Sequence, residues 1–217
     1  MFSYYGAKTK IVNYYPAPTK DTIIEPFAGS ARYSLKYFDR NIILYEIDDK
    51  VYRIWKYLQE ASVKDILSLP NAEPGVDLRT IESLSLEEKW LIGFQGNRGA
   101  ARPNNIMSIR STWAKDKERI SKELYKIKHW SILKKNAMDM PIDDNITYFI
   151  DPPYTVQIHG YTHKNVDYTR LAKIVNTINS EVIVCGNEND TWLDFSPLKQ
   201  MMGTNKKHIE CAFIKGF

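Results

Sequence analysis

The residues with the clearest chemical potential are Asp151-Pro152-Pro153-Tyr154, which follow directly on the apolar run Tyr148–Ile150. Two consecutive prolines fix the backbone and remove two hydrogen-bond donors, so a strand that ends here cannot continue in a ladder. A carboxylate, a free carbonyl and an aromatic ring therefore project at the carboxyl end of the strand. Because open α/β sheets bind their ligands at that edge, these four residues are the first candidates for a catalytic site.

Their chemistry suits the activation of an amino group attached to a nucleic-acid base. Such an amine is a poor nucleophile because its lone pair is delocalised into the ring. The Asp151 carboxylate and the Pro152 carbonyl can both accept hydrogen bonds from it and stabilise the positive charge that develops during methyl transfer. Tyr154 can stack on a base that has been taken out of its helix. The alternative interpretation is a tight turn capped by an aromatic ring, with Asp151 as an ordinary turn residue.

A second group of candidates surrounds a turn of small side chains, Pro26–Ala31, after the β-branched run Thr22–Glu25. Small residues between a strand and a helix let a ligand approach the backbone closely, and the helix N-terminus favours negative charge. Glu46 closes the next apolar run, where an acid can accept both hydroxyls of a ribose. Asp48 and Asp49 are the nearest alternatives, although their position is more typical of a helix N-cap.

Hydrophobic patterns place these residues on alternating strands and helices. Strands are predicted over Thr22–Glu25, Asn41–Glu46, Ile146–Ile150 and Glu181–Cys185, and helices over Ala31–Phe38, Lys50–Ala61 and Tyr168–Ile178. This alternation implies parallel strands joined by right-handed crossovers. The run Lys207–Lys215 is predicted to pair with Leu198–Met202 as an antiparallel hairpin. The predicted fold class is therefore α/β, with a mostly parallel sheet and a C-terminal antiparallel hairpin.

The middle of the chain interrupts this alternation. A turn-rich break is predicted over Pro70–Gly75, followed by a helix over Ser85–Phe94 that a capping box opens. A loop over Gln95–Ser111 and a second helix over Asp116–Lys128 are predicted to follow. We therefore predict one catalytic domain made of residues 1–62 and 131–217. Residues 63–130 are predicted to form an inserted helical and loop segment that recognises the target.

Positive charge is concentrated in and around that segment. Between Leu91 and Lys135 the chain has eleven lysines and arginines against three acids, whereas the whole chain has a net charge of +4. Such a block is either a solvated helical face or a surface that meets phosphates. The interleaved Trp113, Tyr125 and Trp130 favour the second interpretation, with nucleic acid as the partner.

Taken in order, four motifs resemble those of the Dam-like adenine-N6 DNA methyltransferases of the DPPY type. They are Tyr5-Gly6-Ala7-Lys8, Glu25-Pro26-Phe27-Ala28-Gly29-Ser30-Ala31, Glu46-Ile47-Asp48 and Asp151-Pro152-Pro153-Tyr154. Thr204–Glu210 is similar to the family's closing hairpin, and Asn187 stands where the family often has asparagine. The resemblance covers nearly the whole chain. It implies a Rossmann-like methyltransferase sheet and methylation of the N6 amino group of adenine in DNA, by base flipping and direct transfer from S-adenosyl-L-methionine.

The resemblance also implies roles for individual residues. Tyr5, Gly6, Ala7 and Lys8 form the segment that meets the methionine part of the cofactor, with Lys8 at its carboxylate. Glu25, Pro26, Phe27, Ala28, Gly29, Ser30 and Ala31 line the cofactor, Glu46 with Ile47 holds the ribose, and Asp139 meets the adenine. Double-stranded DNA is the implied partner. The basic block described above, inserted between the cofactor motifs and the catalytic strand, supplies the residues predicted to contact it: Arg98, Arg102 and Arg110.

Three departures from the family's pattern stand out. The turn lacks the second glycine that many members of the family have, and the ribose acid is glutamate rather than aspartate. The largest departure is that the recognition region before the catalytic strand is short, which predicts a short or relaxed target sequence.

Other classes of protein fit the sequence less well. The chain has no run of apolar residues that could cross a membrane and no apolar export signal within Met1–Lys20, so we expect it in the cytoplasm. Cys185 and Cys211 are expected to be reduced core thiols. No Gly-Lys-Ser/Thr loop is present, and His159 and His163 lack the neighbours of a metal site, so no metal is expected.

Three alternatives to a DNA methyltransferase stay open at this stage. An RNA adenine methyltransferase would use the same catalytic residues. A protein glutamine methyltransferase usually begins the four-residue motif with asparagine rather than Asp151. A nucleic-acid-binding protein on an inactive methyltransferase scaffold would not need Asp151, Tyr154 and Lys8 to be intact. The target sequence and the oligomeric state are not encoded in any recognisable pattern.

Overall fold

The computed structural model describes residues 1–96, 100–109, 111–155, 162–163, 165–202 and 207–217 of the chain. A seven-stranded sheet organises them, in the order β3-β2-β1-β4-β5-β7-β6. The strands are β1 Thr22–Glu25, β2 Asn41–Tyr45, β3 Ser131–Leu133, β4 Ile146–Ile150, β5 Val182–Asn187, β6 Ser196–Met202 and β7 Lys207–Lys215. Strands β1 to β5 pair in parallel, and β7 runs antiparallel to both β5 and β6. This topology confirms the predicted α/β class, including the C-terminal antiparallel hairpin.

Helices cover the sheet and form the middle of the chain. The α-helices are α1 Arg32–Lys36, α2 Asp49–Glu60, α3 Val63–Ser68, α4 Leu86–Gly96, α5 Trp113–Glu123 and α6 Tyr168–Thr177. The sequence analysis did not predict α3 or β3. With six residues in α3 and three in β3, neither element is long enough to show a periodic hydrophobic pattern. Within the described ranges, no helix is both long and apolar enough to span a bilayer.

The two central strands are buried on both faces. Every residue of β4 and β5 is buried, which matches their continuous apolar sequences. Side chains alternate along β4: Phe149 packs into the core on one side of the sheet, whereas Tyr148 and Ile150 pack into the core on the other. Cys185 and Cys211 are free and buried, as predicted. Two well-filled cores therefore hold the carboxyl ends of these strands in place.

The predicted inserted segment is helical and packs against the sheet. Its capping box is confirmed, because Ser85 N donates to Glu88 Oε2 at 2.8 Å and Glu88 N donates to Ser85 Oγ at 3.3 Å. Leu91, Trp113 and Ile120 belong to the same hydrophobic core as the face of the sheet that contains Phe149. The segment therefore shares its core with the sheet instead of forming one of its own.

Candidate active site

A cavity of about 240 Å³ lies where β1, β2 and β4 end. Because these strands are parallel neighbours, the residues that follow them, Pro26, Glu46 and Asp151, reach the same edge of the sheet. All three line the cavity, as does the N-terminal segment from Tyr4 to Lys8. The position agrees with the general rule that open α/β sheets bind ligands at their carboxyl edge.

The structure brings almost all of the predicted cofactor residues to this cavity. Those that line it are Tyr5, Gly6, Ala7, Lys8, Glu25, Pro26, Phe27, Ala28, Gly29, Ser30, Ala31, Glu46 and Ile47. Asp139 differs, since it is exposed at the end of a 3₁₀ turn and is not part of the wall. The residues just before it, Asn136 to Met138, line the cavity instead.

The turn between β1 and α1 has an unusual backbone. Gly29 has φ +44°, and a side chain at this position would begin 3.1 Å from Cδ1 of Tyr4. Glycine is required here both for the backbone conformation and for the close approach of the N-terminal segment. Ala31 has φ 45° and ψ 50°, a left-handed conformation that glycine adopts more easily. Ala31 therefore adopts a backbone conformation that is more typical of glycine.

Glu46 is held rigidly at the mouth of this turn. Its Oε2 accepts a hydrogen bond of 3.0 Å from Gly29 N, and its Oε1 accepts one of 2.9 Å from Asp48 N. Burial raises the pKa of Glu46 to about 7. Asp48 caps α2 instead, accepting hydrogen bonds from Lys50 N and Val51 N. Of the three acids considered for the ribose, Glu46 is thus the one fixed beside the turn.

Glu25 has a different environment, although it also lines the cavity. Its Oε2 accepts hydrogen bonds from Ser34 Oγ at 2.6 Å and from Ser34 N at 3.1 Å. Burial raises the pKa of Glu25 to about 8, so the side chain is largely protonated at neutral pH. It joins the end of β1 to helix α1.

Asp151 lies beside a buried lysine. Lys8 Nζ is 2.9 Å from Asp151 Oδ1 and 3.1 Å from Glu210 Oε1, and it donates a hydrogen bond of 2.6 Å to the Tyr154 hydroxyl. The three ammonium protons therefore have three acceptors within the protein. Burial lowers the pKa of Lys8, but Asp151 and Glu210 raise it more, so it lies well above its ordinary value. Lys8 is accordingly a permanent cation.

A buried hydrogen-bonded network continues from this lysine. Glu210 Oε1 accepts hydrogen bonds from the hydroxyls of Tyr154, at 2.5 Å, and Tyr15, at 3.0 Å. The Cys185 thiol donates to the Tyr15 hydroxyl at 3.3 Å. Burial raises the pKa values of both tyrosines and of the thiol well above their ordinary values, so all three stay neutral at pH 7. We call Lys8, Asp151, Tyr154, Glu210, Tyr15 and Cys185 the polar network.

The two prolines and Tyr154 are fixed from several sides. Pro153 O accepts a hydrogen bond of 2.5 Å from the hydroxyl of Tyr168, and Pro153 lines the cavity. Lys8 Nζ stands 4.6 Å from the ring centroid of Tyr154, which makes this a cation–π contact. Tyr154 and Pro152 do not line the cavity. Lys8 and Asp151 are the members of the polar network that line the cavity.

Burial also affects Asp151 itself. Its side chain is 20% exposed, the largest opening of any charged group in the network. Burial raises the pKa of Asp151, and the opposing attraction of Lys8 lowers it without cancelling that effect. A carboxylate with a raised pKa and a free edge on a cavity is a good acceptor for a ligand that carries N–H groups.

The predicted basic surface is smaller than its charge count suggests. Six of its cations contact groups within the protein: Lys117, Arg119, Lys126, Lys128, Lys134 and Lys135. Arg98 and Arg110 lie outside the described residues. Arg102, Lys115 and Lys122 are exposed and have no hydrogen bond or ion pair within the described part of the chain. Of the three arginines predicted to contact nucleic acid, Arg102 is thus the one that the structure places on the surface.

Sequence reasoning missed two charged residues at the site. Arg32 lines the cavity, donates from Nη2 to Phe2 O at 2.9 Å, and has a buried Nε with no partner in the described structure. The sequence feature that could have identified Arg32 is its position directly after the small-residue turn Pro26–Ala31. Glu210 is buried in the polar network. The sequence feature that could have identified Glu210 is an acidic side chain within an alternating strand, because a buried acid needs a partner.

Comparison with known proteins adds a weak likeness of fold. No protein-family model and no curated protein matches the chain. Solved structures that resemble it include a protein described as a methyltransferase from Escherichia coli, with a TM-score of 0.40 and 11% identity over 90% of this chain and 76% of that one. A protein described as a methylase from Haemophilus influenzae has a TM-score of 0.40 and 11% identity, over 91% of this chain and 81% of its own.

A third similar structure is the rRNA methyltransferase aviRa from Streptomyces viridochromogenes. It has a TM-score of 0.41 and 10% identity, and the match covers 93% of this chain and 80% of that one. TM-scores and sequence identities this low support no conclusion about activity or substrate.

Proposed function

We propose that the protein is an S-adenosyl-L-methionine-dependent methyltransferase that modifies the exocyclic N6 amino group of adenine in DNA. The observation that carries the proposal is the position of Asp151. Its carboxylate, paired with Lys8 at 2.9 Å, opens on a cavity that the buried Glu46 also lines. An acceptor for an amine and an acceptor for ribose hydroxyls therefore face one space.

The donor and acceptor groups of the cavity fit the proposed cofactor. Glu46 keeps lone pairs free on both oxygens for the two ribose hydroxyls. Gly29 lets the N-terminal wall of the cavity lie close to the turn, and Arg32, whose Nε has no partner in the described structure, is the cation available to a carboxylate. Ile47 and Met138 offer apolar surface to an adenine ring, in place of Asp139. When bound, the cofactor supplies an electrophilic methyl group on a sulfonium.

Asp151 would act on the target amine. Its carboxylate would accept one N–H group, and the sequence assigns the other to the carbonyl of Pro152, which does not line the cavity but lies between Asp151 and Pro153, which do. Two such acceptors would direct the nitrogen lone pair toward the methyl group and stabilise the positive charge that forms. The nitrogen uses that lone pair for the new N–C bond while the C–S bond of the methyl group breaks and leaves its electron pair on sulfur, and the nitrogen afterwards releases one proton to Asp151 or to water. Tyr154, whose hydroxyl is held by Glu210, would support the flipped base with its ring.

We also propose that residues 63–130 form the target-recognition region. The exposed Arg102 lies in the loop after α4, and Tyr5 N donates to Ala100 O at 3.1 Å. This hydrogen bond links the loop to the cavity wall, so a nucleic acid held by the loop would be near the polar network. Arg98 and Arg110 are assigned to the same surface from the sequence.

The proposal is tested by methyl transfer from radiolabelled cofactor to unmethylated DNA and to RNA of the same sequence. We expect label on the N6 position of adenine in DNA, and no label with Asp151→Ala. Transfer to RNA alone would replace DNA by RNA as the substrate. Absence of transfer to either, with cofactor binding intact, would favour the inactive binding protein.

A further inference from the structure

Glu210 is the centre of the polar network, although it does not line the cavity. It is 5% exposed, and a single oxygen, Oε1, lies within 3.1 Å of Lys8 Nζ and accepts both tyrosine hydroxyls. Its place on β7 is set by the sheet, because Glu210 is directly opposite Asn187 at the carboxyl end of β5. The antiparallel strand therefore brings an acid to the same edge as Asp151.

The charges of the network depend on this acid. Lys8 is shared between two carboxylates, so the network has a net charge of −1 when both are ionised. Without Glu210, the full positive charge of Lys8 would act on Asp151 alone. A carboxylate neutralised in this way attracts a second positive group less strongly, and the effect is large where water is excluded.

No other described group near Asp151 can replace Glu210 in this role. Burial raises the pKa values of Cys185, Tyr15 and Tyr154, so these groups are neutral at pH 7. Glu25 is close enough to interact with Asp151, but burial raises its pKa to about 8 and Ser34 holds its carboxyl group. Glu210 is the acid in contact with Lys8 on the side away from the cavity.

We infer that Glu210 is a positioning residue for methyl transfer: it offsets the charge of Lys8 and orients Tyr154, so that Asp151 remains an effective acceptor for the target amine. The inference rests on the proposed function, since it concerns an amine that becomes positively charged beside Asp151. Glu210 itself touches neither the cofactor cavity nor the reacting nitrogen. Its effect is exerted through Lys8 and Tyr154.

The test compares Glu210→Gln with the wild-type chain by two measurements. Carbon-13 NMR of labelled aspartate carboxyls, with the Asp151 signal assigned through Asp151→Asn, reports the Asp151 titration without any need for turnover. We expect the Asp151 pKa to fall in Glu210→Gln, because a negative neighbour has been removed.

Turnover on unmethylated DNA is the second measurement. It should fall on the order of 10- to 100-fold in Glu210→Gln, with unchanged affinity for S-adenosylhomocysteine. The acid limb of the turnover–pH profile should move to lower pH.

Glu181→Gln is the matched control. Glu181 is also buried and accepts hydrogen bonds from hydroxyls, those of Thr19 and Thr147, but it precedes β5 at the opposite edge of the sheet. It should change neither the Asp151 titration nor the turnover–pH profile. Glu210→Asp keeps the charge, so it should retain the wild-type Asp151 pKa. Glu210→Met, an uncharged side chain of similar length, provides the test if Glu210→Gln does not fold.

The outcomes separate this inference from the proposed function. An Asp151 titration that is the same in wild type, Glu210→Gln and Glu210→Asp would overturn the inference, whatever happens to turnover. Equal losses of turnover in Glu210→Gln and Glu181→Gln would likewise overturn it and indicate packing alone. A shifted titration in a protein that methylates neither DNA nor RNA would overturn the proposed function, and with it the role of Glu210 in catalysis.

Discussion

The backbone amide of Gly29 donates a hydrogen bond of 3.0 Å to Oε2 of Glu46, which ties the end of β2 to the turn after β1. Asp48 N donates to the other carboxylate oxygen at 2.9 Å. Both oxygens are therefore fixed before any ligand arrives, and each keeps a lone pair for a further hydrogen bond. Preorganisation of this kind favours affinity because little freedom is lost on binding.

Removal of the Glu46 carboxylate should weaken cofactor binding. We expect Glu46→Ala to reduce the affinity for S-adenosylhomocysteine by about 1–3 kcal/mol, the range for a lost hydrogen bond to a charged group. Titration calorimetry measures this directly. Glu60→Ala, at the exposed end of α2, serves as the control. An unchanged affinity in Glu46→Ala would remove Glu46 from the site.

The same carboxylate should make binding depend on pH. Burial raises the pKa of Glu46 to about 7, and only the ionised form accepts hydrogen bonds from two hydroxyls. Affinity should therefore rise as the pH increases through about 7, since the folded protein binds the ligand best after losing this proton. Calorimetry between pH 6 and 8 should show the rise in wild type and a flat profile in Glu46→Gln. Equal slopes in the two proteins would assign the pH dependence to another group.

Asp151 is expected to act on chemistry and not on cofactor binding. Asp151→Ala should lower turnover by several orders of magnitude, because stabilisation of positive charge in the transition state is lost. Affinity for S-adenosylhomocysteine should stay within about a factor of ten, the equivalent of roughly 1.4 kcal/mol. The exposed Asp144→Ala is the control. Turnover close to wild type in Asp151→Ala would contradict the assignment of the catalytic carboxylate.

Arg32 and Lys8 differ in how many of their donors are already used. All three protons of Lys8 have acceptors in the polar network, whereas the described residues provide a partner for Nη2 of Arg32 and none for its Nε. Arg32 is therefore the better candidate for the carboxylate of the methionine moiety, a role that the sequence resemblance assigns to Lys8.

Two ligands distinguish these candidates. S-Adenosylhomocysteine has the carboxylate, and 5′-methylthioadenosine lacks it. We expect Arg32→Gln to lose about tenfold or more of its affinity for the first ligand, with no change for the second. Arg170→Gln, an exposed arginine at the same cavity, is the matched control. If Lys8→Met shows this selective loss and Arg32→Gln does not, Lys8 is the residue that binds the carboxylate of the methionine moiety. Thermal melting of each variant checks that it is folded.

The left-handed backbone of Ala31 should limit stability. Ala31→Gly relieves a conformation that is unfavourable for a residue with a Cβ, and part of that gain is offset by the greater freedom of glycine in the unfolded chain. We expect a net gain of up to about 1 kcal/mol in the free energy of unfolding in urea. Ala61→Gly, at φ −58°, should instead destabilise the protein. Destabilisation by both substitutions would show that the Ala31 methyl group contributes more through packing than it costs in backbone strain.

Local patterns in the sequence were enough to predict the cavity but not the polar network. β1, β2 and β4 are short runs of apolar or β-branched residues, and the residues at their ends follow directly from them. The network joins residues that are far apart in the chain, since Lys8 and Tyr154 are separated by 146 positions and Tyr154 and Glu210 by 56. Their contact depends on the placement of β7 beside β5, which no local period encodes.

The availability of each cation could not be predicted either, for a related reason. The excess of lysine and arginine between Leu91 and Lys135 predicted a surface that meets phosphates, but a count cannot tell which of these cations bind groups inside the protein. Lys117 is buried and donates to Leu69 O and to Asn71 Oδ1, both at 2.7 Å. Lys128 donates to Gln59 O at 2.6 Å. Such side chains satisfy backbone carbonyls at helix ends, so their ammonium groups already have partners within the protein.

Arg102 should therefore contribute a measurable part of nucleic-acid binding. It is exposed and has no ion pair within the described ranges, so its charge is available to a phosphate. Each phosphate contact releases a counterion, and its loss lowers both the affinity and the dependence of affinity on salt. We expect Arg102→Ala to reduce the slope of log K against log salt by about 1, and the double variant with Arg98→Ala by about 2, without an effect on S-adenosylhomocysteine binding.

Arg40→Ala is the control for this measurement, because Arg40 pairs with Asp21 at 3.0 Å and precedes β2 at the opposite edge of the sheet. It should leave the salt dependence unchanged. If Arg102→Ala lowered the affinity for some nucleic-acid sequences and not for others, with no change in the slope of log K against log salt, Arg102 would contact bases instead of phosphates. With so few free cations in the described part of this segment, we expect a short or relaxed target. Mapping of methylated sites on a mixed-sequence genome would contradict this expectation if it showed a long, strictly read site.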